Sequence, residues 1–547
     1  MHANSLSSGM RRLSRRAMLR LVGMLVPVVL LSACGGGGSE EEHFTIGGTV
    51  SGTSGAGLVL HNNGGDNLTV AADGSFRFAT PVGVGMPYAV TVARAPAGQS
   101  CAVADGSGTA QAAVTNVAVR CSAVPKAWNP QQFPTTSDLP SEPELAVNAR
   151  GQAVAAWSAG GGKLWTSHYD PANGWGPARQ IAENGWGIQR VTIDDNGNAM
   201  VLWLTGDGLG PFSLLASHWN GAAWSEPTSV YTSNRFLYGD LGMAANGDVV
   251  VVWVESENGA SSGAIYATRY LAASGWTRSI ARLDQCVPYW GGNACRNAMQ
   301  VRMTVNRNGS ALVAWTEPTF STTITRIVAS RFDGLEWSRA EASGDPASTS
   351  MQDPVIVGDD GDNGIVVWTQ DGGDNTRQVV ARHYNFSATA GRAEPPVALS
   401  PALRGVIDVR ATMNARGQAM VLWQQQADDA LSLHARSYQP GSGWSAATTQ
   451  IDAERAARST SSCLHLASDP AGDAIAIWSY VPSGGLWRTD LRVNRFTASV
   501  AGWGVPALLD TTATNGAIGT CLMGVDASGR AVALWQKGGV IESSAYR

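Results

Sequence analysis

A ten-residue phrase ending in tryptophan recurs eight times along this chain of 547 residues. Its consensus is Asp or Asn, two variable residues, Gly, one variable and one small residue, three apolar residues and Trp. Successive copies are 46 to 62 residues apart. A period of this size is typical of repeat proteins, in which each copy is one supersecondary unit and neighbouring units bury a shared core. We therefore expect structural roles for the phrase tryptophans, which are Trp157, Trp203, Trp253, Trp315, Trp368, Trp423, Trp478 and Trp535.

The phrase predicts a tight turn between two strands. An Asp or Asn side chain accepts a hydrogen bond from the backbone two residues on, and Gly adopts the positive φ that such a turn needs. Ala244 replaces the Asp or Asn in the third copy, and Asp362 replaces the Gly in the fifth. The residues after the turn are apolar without alternation, as in 249–252, so we expect this strand to be covered on both faces.

Four-stranded sheets that stack face to face around an axis form a β-propeller, which is the fold predicted here for residues 126–547. The last copy ends after its third expected strand, and an orphan Trp128-Asn129-Pro130 unit precedes the first copy. If this unit supplies the missing fourth strand, the ring is closed by its own N-terminus and no sheet edge stays open. Eight phrases then predict eight blades, with seven blades or an open form as alternatives.

The first 33 residues have the order of a secretory signal. Five arginines precede an apolar segment, residues 21–31, that is too short to span a bilayer. Leu31-Ser32-Ala33-Cys34 follows, and this order resembles the lipobox of bacterial lipoproteins. The resemblance implies cleavage before Cys34, acylation of its sulfur and, because residue 35 is Gly rather than Asp, sorting to the outer membrane. Residues 34–43 are then a flexible linker.

Residues 14–20 also resemble a twin-arginine export signal, which implies folding before export. The alternative is a merely basic signal segment. Several disulfides in the exported chain favour that alternative, because the cytosol keeps thiols reduced.

Six cysteines remain besides Cys34, an even number that suits a disulfide-permissive compartment. Metal binding is the alternative, but the sequence has no CxxC or His–Cys cluster. Proximity in sequence favours three pairs, which are Cys101 with Cys121, Cys286 with Cys295, and Cys463 with Cys521.

Residues 44–122 contain short β-prone runs separated by Gly-Gly, Asn-Gly and Asp-Gly turn signals. Runs of this length and spacing predict a small β-sandwich. Residues 73–78, Asp-Gly-Ser-Phe-Arg-Phe, resemble the immunoglobulin-like or transthyretin-like modules of bacterial surface proteins. The resemblance implies a spacer.

Charge limits the partners. The chain from Cys34 onward carries 33 basic and 43 acidic residues and no basic run, so we expect no nucleic-acid partner. Residues 359–363 resemble a calcium loop only loosely, because they lack the full alternation of oxygen ligands and a closing Glu. We expect a polar turn there, and no cofactor.

Two sets of side chains are candidates for a binding or catalytic site. His168, His218 and His383 occupy one repeat position that elsewhere holds Arg, Ser or Ala, so a solvated strand position is expected rather than a general base. Four tryptophans lie outside the repeat register and are therefore candidates for stacking on sugar rings, namely Trp165, Trp186, Trp290 and Trp487.

We expect a non-catalytic binding protein, lipid-anchored at the outer membrane, whose propeller recognises a glycan or an envelope protein. Residues 265–276 are similar to repeats of bacterial propeller lectins. The alternatives are an assembly scaffold, like the propeller lipoprotein of the outer-membrane barrel-assembly machinery, and a glycan hydrolase or lyase. A lectin predicts equivalent pockets between sheets, a scaffold predicts one broad apolar patch, and an enzyme predicts a funnel with perturbed carboxylates.

Overall fold

The computed structural model describes residues 42–547, with gaps at 54–56, 97–98, 125, 135, 137, 186, 207–209, 257–262, 285–286, 290–291, 295–297, 319–323, 344–349, 374–375, 386–393, 404, 428–429, 453–462, 483–487 and 514–515. The chain forms two compact units that divide between Pro125 and Lys126. Within the described residues, no helix has the length and apolar character needed to cross a membrane.

The smaller unit is a β-sandwich. One sheet has the order Gly74–Arg77, Ile46–Ser51, Val114–Ala123 and Gln99–Ala104. The other has the order Gly65–Val70, Leu58–Asn62, Pro87–Arg94 and Ser107–Thr109, and a short pair joins His43–Phe44 to Val82–Gly83. Side chains of both sheets share one core, which includes Ile46, Leu60 and Val117. Cys101 and Cys121 face each other on adjacent strands and form the expected disulfide.

Among the described residues of the larger unit, eight antiparallel sheets follow one plan, and we number them by their phrase from first to eighth. The first strands are Ser141–Val147, Ile188–Ile193, Leu237–Met243, Met299–Val305, Met351–Gly358, Val406–Met413, Leu464–Ser468 and Ile518–Val525. The second strands are Ala153–Ala159, Ala199–Thr205, Val249–Ser256, Ala311–Pro318, Asn363–Gly373, Ala419–Ala427, Ala474–Tyr480 and Ala531–Lys537. The third strands are Lys163–Asp170, Phe212–Trp219, Gly263–Leu271, Thr325–Phe332, Thr376–Asn385, Ala430–Gln439, Asp490–Thr497 and Val540–Tyr546.

The outer strands are short and often broken into two pieces. In sheet order they are Gly174–Trp175 with Arg179–Ala182, Thr228–Ser233, Gly275–Trp276 with Ala281–Arg282, Glu341–Ala342, Val397–Ala398, Gly443–Trp444 with Thr449–Gln450, Gly502–Trp503 with Ala507–Thr511, and Trp128–Gln131. A two-stranded ribbon, Val287–Tyr289 with Gly292–Ala294, lies between the third and fourth sheets in the chain. The 3-10 turns are Gly160–Gly162 and Ala498–Val500.

The sheets form a closed ring. Each first strand contacts the first strand of the next sheet, and Ile518–Val525 of the eighth sheet contacts Ser141–Val147 of the first. The second strands are buried on both faces, and the phrase tryptophans on them are at most 5% exposed. The predicted β-propeller is confirmed, and its phrase tryptophans are part of the core between sheets.

The phrase turn has the expected geometry. In the second copy, Asp194 Oδ1 accepts hydrogen bonds from the backbone of Asn196 and Asn198, each at 2.8 Å. Where Ala244 replaces the Asp or Asn, the turn keeps its backbone hydrogen bonds. In the fifth copy, Asp362 takes the positive φ, 66°, that Gly adopts in the other seven. The turn is therefore set by backbone hydrogen bonds, which the side chain reinforces.

The N-terminal segment completes the eighth sheet. Trp128–Gln131 pairs with Val540–Tyr546, and Trp128 lies opposite Tyr546. The same pairing occurs within single hairpins elsewhere, as in Tyr270 opposite Trp276. Ring centroids are 5.4 Å apart in both pairs. The closing strand thus occupies the slot of a local hairpin strand, although it comes from the other end of the unit.

Adjacent sheets are also joined by stacking at the repeat position that His168 occupies. His168 lies 4.3 Å from the ring of Trp219 in the next sheet, measured between centroids, and Arg269 lies over Phe332 at 4.8 Å. The equivalent His383 stacks on Tyr438, at 6.1 Å. The expectation that these residues lie at a solvated strand position is therefore wrong. Imidazole and guanidinium are both flat groups that pack on an aromatic face, which explains why they exchange between copies.

A second disulfide strengthens the ring near its closure. Cys463 immediately precedes the first strand of the seventh sheet and is bonded to Cys521 in the first strand of the eighth. Cys34, Cys286 and Cys295 lie outside the described residues.

Deleting residues 126–134 should destabilise the whole larger unit. The deletion leaves Val540–Tyr546 as an open edge and removes Phe133, which packs against Trp157 in the first sheet. We expect a loss of about 3 kcal/mol or more in the free energy of unfolding. Denaturant unfolding followed by tryptophan fluorescence measures it, and wild-type stability of the truncated chain would rule out the N-terminal closure.

Stability should fall as the pH drops below 6.5. Burial against the next sheet, together with the charge of Arg179, lowers the pKa of His168 to about 4. Below its ordinary pKa of about 6.5, the unfolded chain therefore binds a proton that the folded chain refuses until about pH 4. His168→Phe keeps a flat ring on Trp219 but cannot titrate. Between pH 7 and pH 5, the free energy of unfolding of His168→Phe should fall by about 1–2 kcal/mol less than that of wild type. An equal fall in both proteins would contradict this role of His168.

Candidate functional site

One position on the first strands places charged residues near the ring axis. It lies four residues before the first residue of each phrase. The position bonds across sheets, because Arg190 Nε lies 2.9 Å from Asp240 Oδ1 and Arg190 Nη1 lies 3.4 Å from Glu144 Oε2. In sheet order its residues are Glu144, Arg190, Asp240, Arg302, Val355, Arg410, His465 and Leu522.

These close contacts and burial shift the pKa values of several residues at this position. The carboxylate of Asp240 raises the pKa of Arg190, and burial raises the pKa of Glu144 against the charge of Arg190. Burial lowers the pKa of His465 to about 4, so its imidazole is neutral at pH 7. Its Nδ1 is buried and has no hydrogen-bond partner. The axis is therefore lined by mixed charges that largely neutralise each other.

A cleft lies at the end of the ring opposite the phrase turns, over the third to sixth sheets. Two adjoining cavities, of about 410 and 470 Å³, share Gln300 and Arg302 in their linings. We call them together the mouth cleft. Ligand sites are typically clefts of this size, lined by apolar groups with a few converging polar ones.

The first half of the mouth cleft presents aromatic rings. Phe236 is 39% exposed and Tyr238 is 38% exposed, and among the described residues no other Phe, Tyr or Trp side chain is classed as exposed. Both line the 410 Å³ cavity, together with polar groups of Gln300, Thr316 and Gln352. Aromatic faces beside amides and hydroxyls suit a ligand that has both C–H surface and hydroxyl groups.

The second half presents three arginines and two aspartates. Arg377 is held by Asp371, at 3.0 Å, and Arg410 by Asp408, at 2.5 Å. The remaining guanidinium, that of Arg302, donates from Nη1 to the Tyr238 hydroxyl at 2.9 Å and to the carbonyl of Val301 at 2.9 Å. Among the described residues, Arg302 has no carboxylate within salt-bridge distance.

A repeated backbone irregularity positions these groups. The first strands of the fourth, fifth and sixth sheets each shift register against the second strand near their start. Gln300, Asp353 and Asp408 stand at the shift with φ of 52°, 56° and 51°. A β-bulge of this kind re-aims side chains at a sheet end. Gln300 then donates to Asp353 Oδ1 at 2.9 Å, which ties the fourth sheet to the fifth.

Asp408 is a largely buried carboxylate of the mouth cleft. Its side chain is 10% exposed, and its Oδ2 is buried without a hydrogen-bond partner. Burial raises the pKa of Asp408, against the nearby charge of Arg410.

The opposite end of the axis has a cavity of about 350 Å³, lined by the phrase turns of all eight sheets. Arg307 of the fourth turn crosses the third turn there and pairs with Asp195 of the second. The third turn is the copy in which Ala244 replaces the Asp or Asn, and the smaller side chain is next to this crossing.

Cavities also occur between sheets at equivalent places. One of about 340 Å³ lies between the first and second sheets, beside His168 and Trp219. Its counterpart between the eighth and first sheets shrinks to about 20 Å³ and is lined by Arg530 and Arg547. The two cavities occupy equivalent places but differ too much in volume to be the equivalent pockets that a lectin predicts.

Trp165, one of the four tryptophans proposed for binding, is not among the residues that line these cavities. Trp165 is half-buried and packs on the core of the first sheet, opposite Trp157. Trp186, Trp290 and Trp487 lie outside the described residues. Residues 359–363 form a phrase turn in which Asp359 Oδ1 accepts two backbone hydrogen bonds. No group of three or more His, Cys, Asp or Glu residues suited to a metal ion occurs in the described part of the chain.

The residues of the mouth cleft lie outside every motif recognised in the sequence. Phe236 and Tyr238 lie at the start of a first strand, outside the phrase, and Arg302 follows within the next repeat. One feature of the repeats does indicate this site, because the position of Arg302 holds a charged residue or His in six of eight copies. Charge at a fixed place in an otherwise buried strand indicates an inward-facing polar site.

The sequence matches no protein-family model and no curated protein. Among solved structures, the WD40 domain of SCAP from fission yeast has a TM-score of 0.45 at 11% identity, covering 77% of this chain and 98% of that one. The BP39L lectin from Burkholderia pseudomallei has a TM-score of 0.42 at 14% identity, covering 68% and 100%. A polysaccharide lyase, a PL25 ulvan lyase, has a TM-score of 0.39 at 10% identity, covering 68% and 92%. Likeness at this level carries no information on function.

Proposed function

We propose that this protein is a non-catalytic, glycan-binding propeller held at the outer membrane by a lipid on Cys34, and that the glycan binds in the mouth cleft. The observation that carries the glycan assignment is the exposure of Phe236 and Tyr238 in one cleft. Exposed aromatic rings that lie together in a cleft are typical of ligand-binding sites, and sugar rings offer a matching C–H face.

The polar lining supports the same ligand class. Arg302 offers N–H donors, and Gln352 lines the cavity with its amide. Gln300, Thr316 and Thr325 are already hydrogen-bonded to protein groups and shape the wall around them. A sugar stacked on Tyr238 meets these groups at its edge, where its hydroxyls project. Aromatic contact then provides affinity, and the hydrogen bonds determine which sugar fits.

Removing the aromatic platform should abolish binding without unfolding the ring. In a glycan-array screen, we expect saturable binding by the wild-type protein. Tyr238→Ala and Phe236→Ala should each weaken it at least tenfold, about 1.4 kcal/mol. Leu335→Ala, at a hairpin tip where Leu335 is 86% exposed, is the matched control.

Asn196→Ala tests the rival site, because Asn196 lines the cavity between the first and second sheets. Loss of binding in that variant, with Tyr238→Ala unaffected, would move the glycan to the inter-sheet cavity. A blank array with the wild-type protein would contradict the glycan assignment and favour a protein partner.

A second candidate function is glycan cleavage, which one observation favours. Asp408 combines a raised pKa, an unpaired buried oxygen and a left-handed backbone, and such features concentrate at active sites. Incubating any bound saccharide with the protein and analysing its length separates the two functions. Shortening by wild type that Asp408→Asn abolishes would establish an enzyme; an intact saccharide supports binding alone.

The anchor is tested separately. We expect Cys34→Ser to prevent incorporation of radiolabelled palmitate and to move the protein from the membrane fraction to the soluble fraction. A buried acyl chain contributes about 0.8 kcal/mol per CH₂, so its loss releases the protein. Equal membrane association of wild type and Cys34→Ser would contradict the lipid anchor.

A further inference from the structure

We propose that the mouth cleft selects acidic saccharides, and that Arg302 recognises a uronate carboxylate on them. The inference rests on the proposed function and names the ligand class for that site. The three arginines in the cleft differ in the groups that they contact.

Two of these arginines already form ion pairs and hydrogen bonds with other protein groups. Arg377 pairs with Asp371 and also donates to Gln352, at 3.1 Å. Arg410 pairs with Asp408 and donates to the carbonyl of Leu464 in the next sheet, at 2.9 Å. Both guanidiniums therefore hold the walls of the cleft together.

Arg302 is held differently. Only its Nη1 group donates to protein atoms, namely the Tyr238 hydroxyl and the Val301 carbonyl. Its Nε and Nη2 groups have no acceptor among the described residues and are not among the buried unsatisfied atoms, so they face the cleft. A guanidinium fixed on one side, with free donors on the other, is prepared for a planar anion that accepts two parallel hydrogen bonds.

The position of Arg302 links the anion to the sugar ring. Its guanidinium carbon lies 5.8 Å from the centroid of Tyr238, and it lines both cavities of the mouth cleft. A uronate whose ring stacks on Tyr238 therefore has its carboxylate within reach of Arg302. The second cavity receives the neighbouring sugar of the chain, so the cleft suits an oligosaccharide.

The aspartates of the cleft are already engaged by other protein groups and do not pair with Arg302. Asp353 is engaged by the Gln300 amide, and Asp408 by Arg410. Arg377 is paired with Asp371 and Arg410 with Asp408. Among the described residues that line the second cavity, Arg302 is then the one arginine, and Asp353 the one aspartate, without an ion-pair partner.

Matched saccharide pairs test the proposal on the full protein. The probes are oligouronates of galacturonic, mannuronic and glucuronic acid type, each with its carboxyl-reduced neutral counterpart, titrated by calorimetry. We expect at least one oligouronate to bind wild type at least tenfold more tightly than its neutral counterpart. Arg302→Gln should remove this preference, and Arg302→Lys should restore only part of it, because an ammonium keeps the charge but not the paired donors.

Arg416→Gln is the control, since Arg416 is exposed in the sixth phrase turn at the other end of the ring. An unfolding midpoint equal to wild type shows that each variant is folded. Equal binding of acid and neutral forms, or a preference that survives in Arg302→Gln, would overturn the role of Arg302 while leaving glycan binding intact. Binding of no saccharide at all would overturn the proposed function as well.

A sulfated oligosaccharide without uronates, with its desulfated counterpart, separates carboxylate from sulfate. Preference for the sulfated form alone would overturn the carboxylate assignment. Loss of the oligouronate preference in Arg302→Gln, with no sulfate preference in wild type, supports it.

Discussion

The pairing of Trp128–Gln131 with Val540–Tyr546 is the interaction on which the whole ring depends. Every other sheet is built from consecutive strands and can form locally. The eighth sheet must recruit its outer strand from more than 400 residues away, so its formation bears the entropy of closing the longest loop in the unit. The aromatic pair of Trp128 with Tyr546 and the nearby disulfide between Cys463 and Cys521 both stabilise this region.

Much of this architecture could be predicted from the sequence, because its causes are local. A turn of the phrase needs only a carboxylate or amide, a backbone N–H two residues on, and a positive φ, so its signal lies within ten residues. The missing strand after Tyr546 and the orphan strand at Trp128 are also visible by counting. Two expected disulfides, Cys101–Cys121 and Cys463–Cys521, are present because their partners occupy matching strand positions.

The mouth cleft could not be predicted in the same way. Arg302 meets Tyr238 across two sheets, and their separation of 64 residues includes loops of irregular length. The stacking of His168 could not be predicted for a related reason, because its partner, Trp219, lies in the next sheet. Arg at the equivalent position of other copies suggests solvent exposure, although both groups stack on an aromatic ring. Contacts between repeats are set by the ring rather than by the phrase.

The fold separates structural from chemical positions. The phrase positions and the aromatic position of the third strand keep similar residue types, because every sheet needs the same turn and the same packing between sheets. The first-strand position next to the axis has no such requirement, and it varies from Glu144 to Arg302 to Leu522. An almost symmetric ring thereby acquires one asymmetric cleft, which suits a single ligand per ring rather than one per sheet.

The closing strand also has a mechanical consequence. Any force applied to the larger unit through the preceding chain enters at Lys126 and reaches Trp128 first. The strand runs antiparallel to Val540–Tyr546, and Ala127 exchanges backbone hydrogen bonds with the terminal Arg547. Tension on a tether would therefore load the strand that keeps the ring shut before it reaches any other sheet. A propeller closed in this way is strongest when its N-terminal tether is slack and weakest when that tether is pulled.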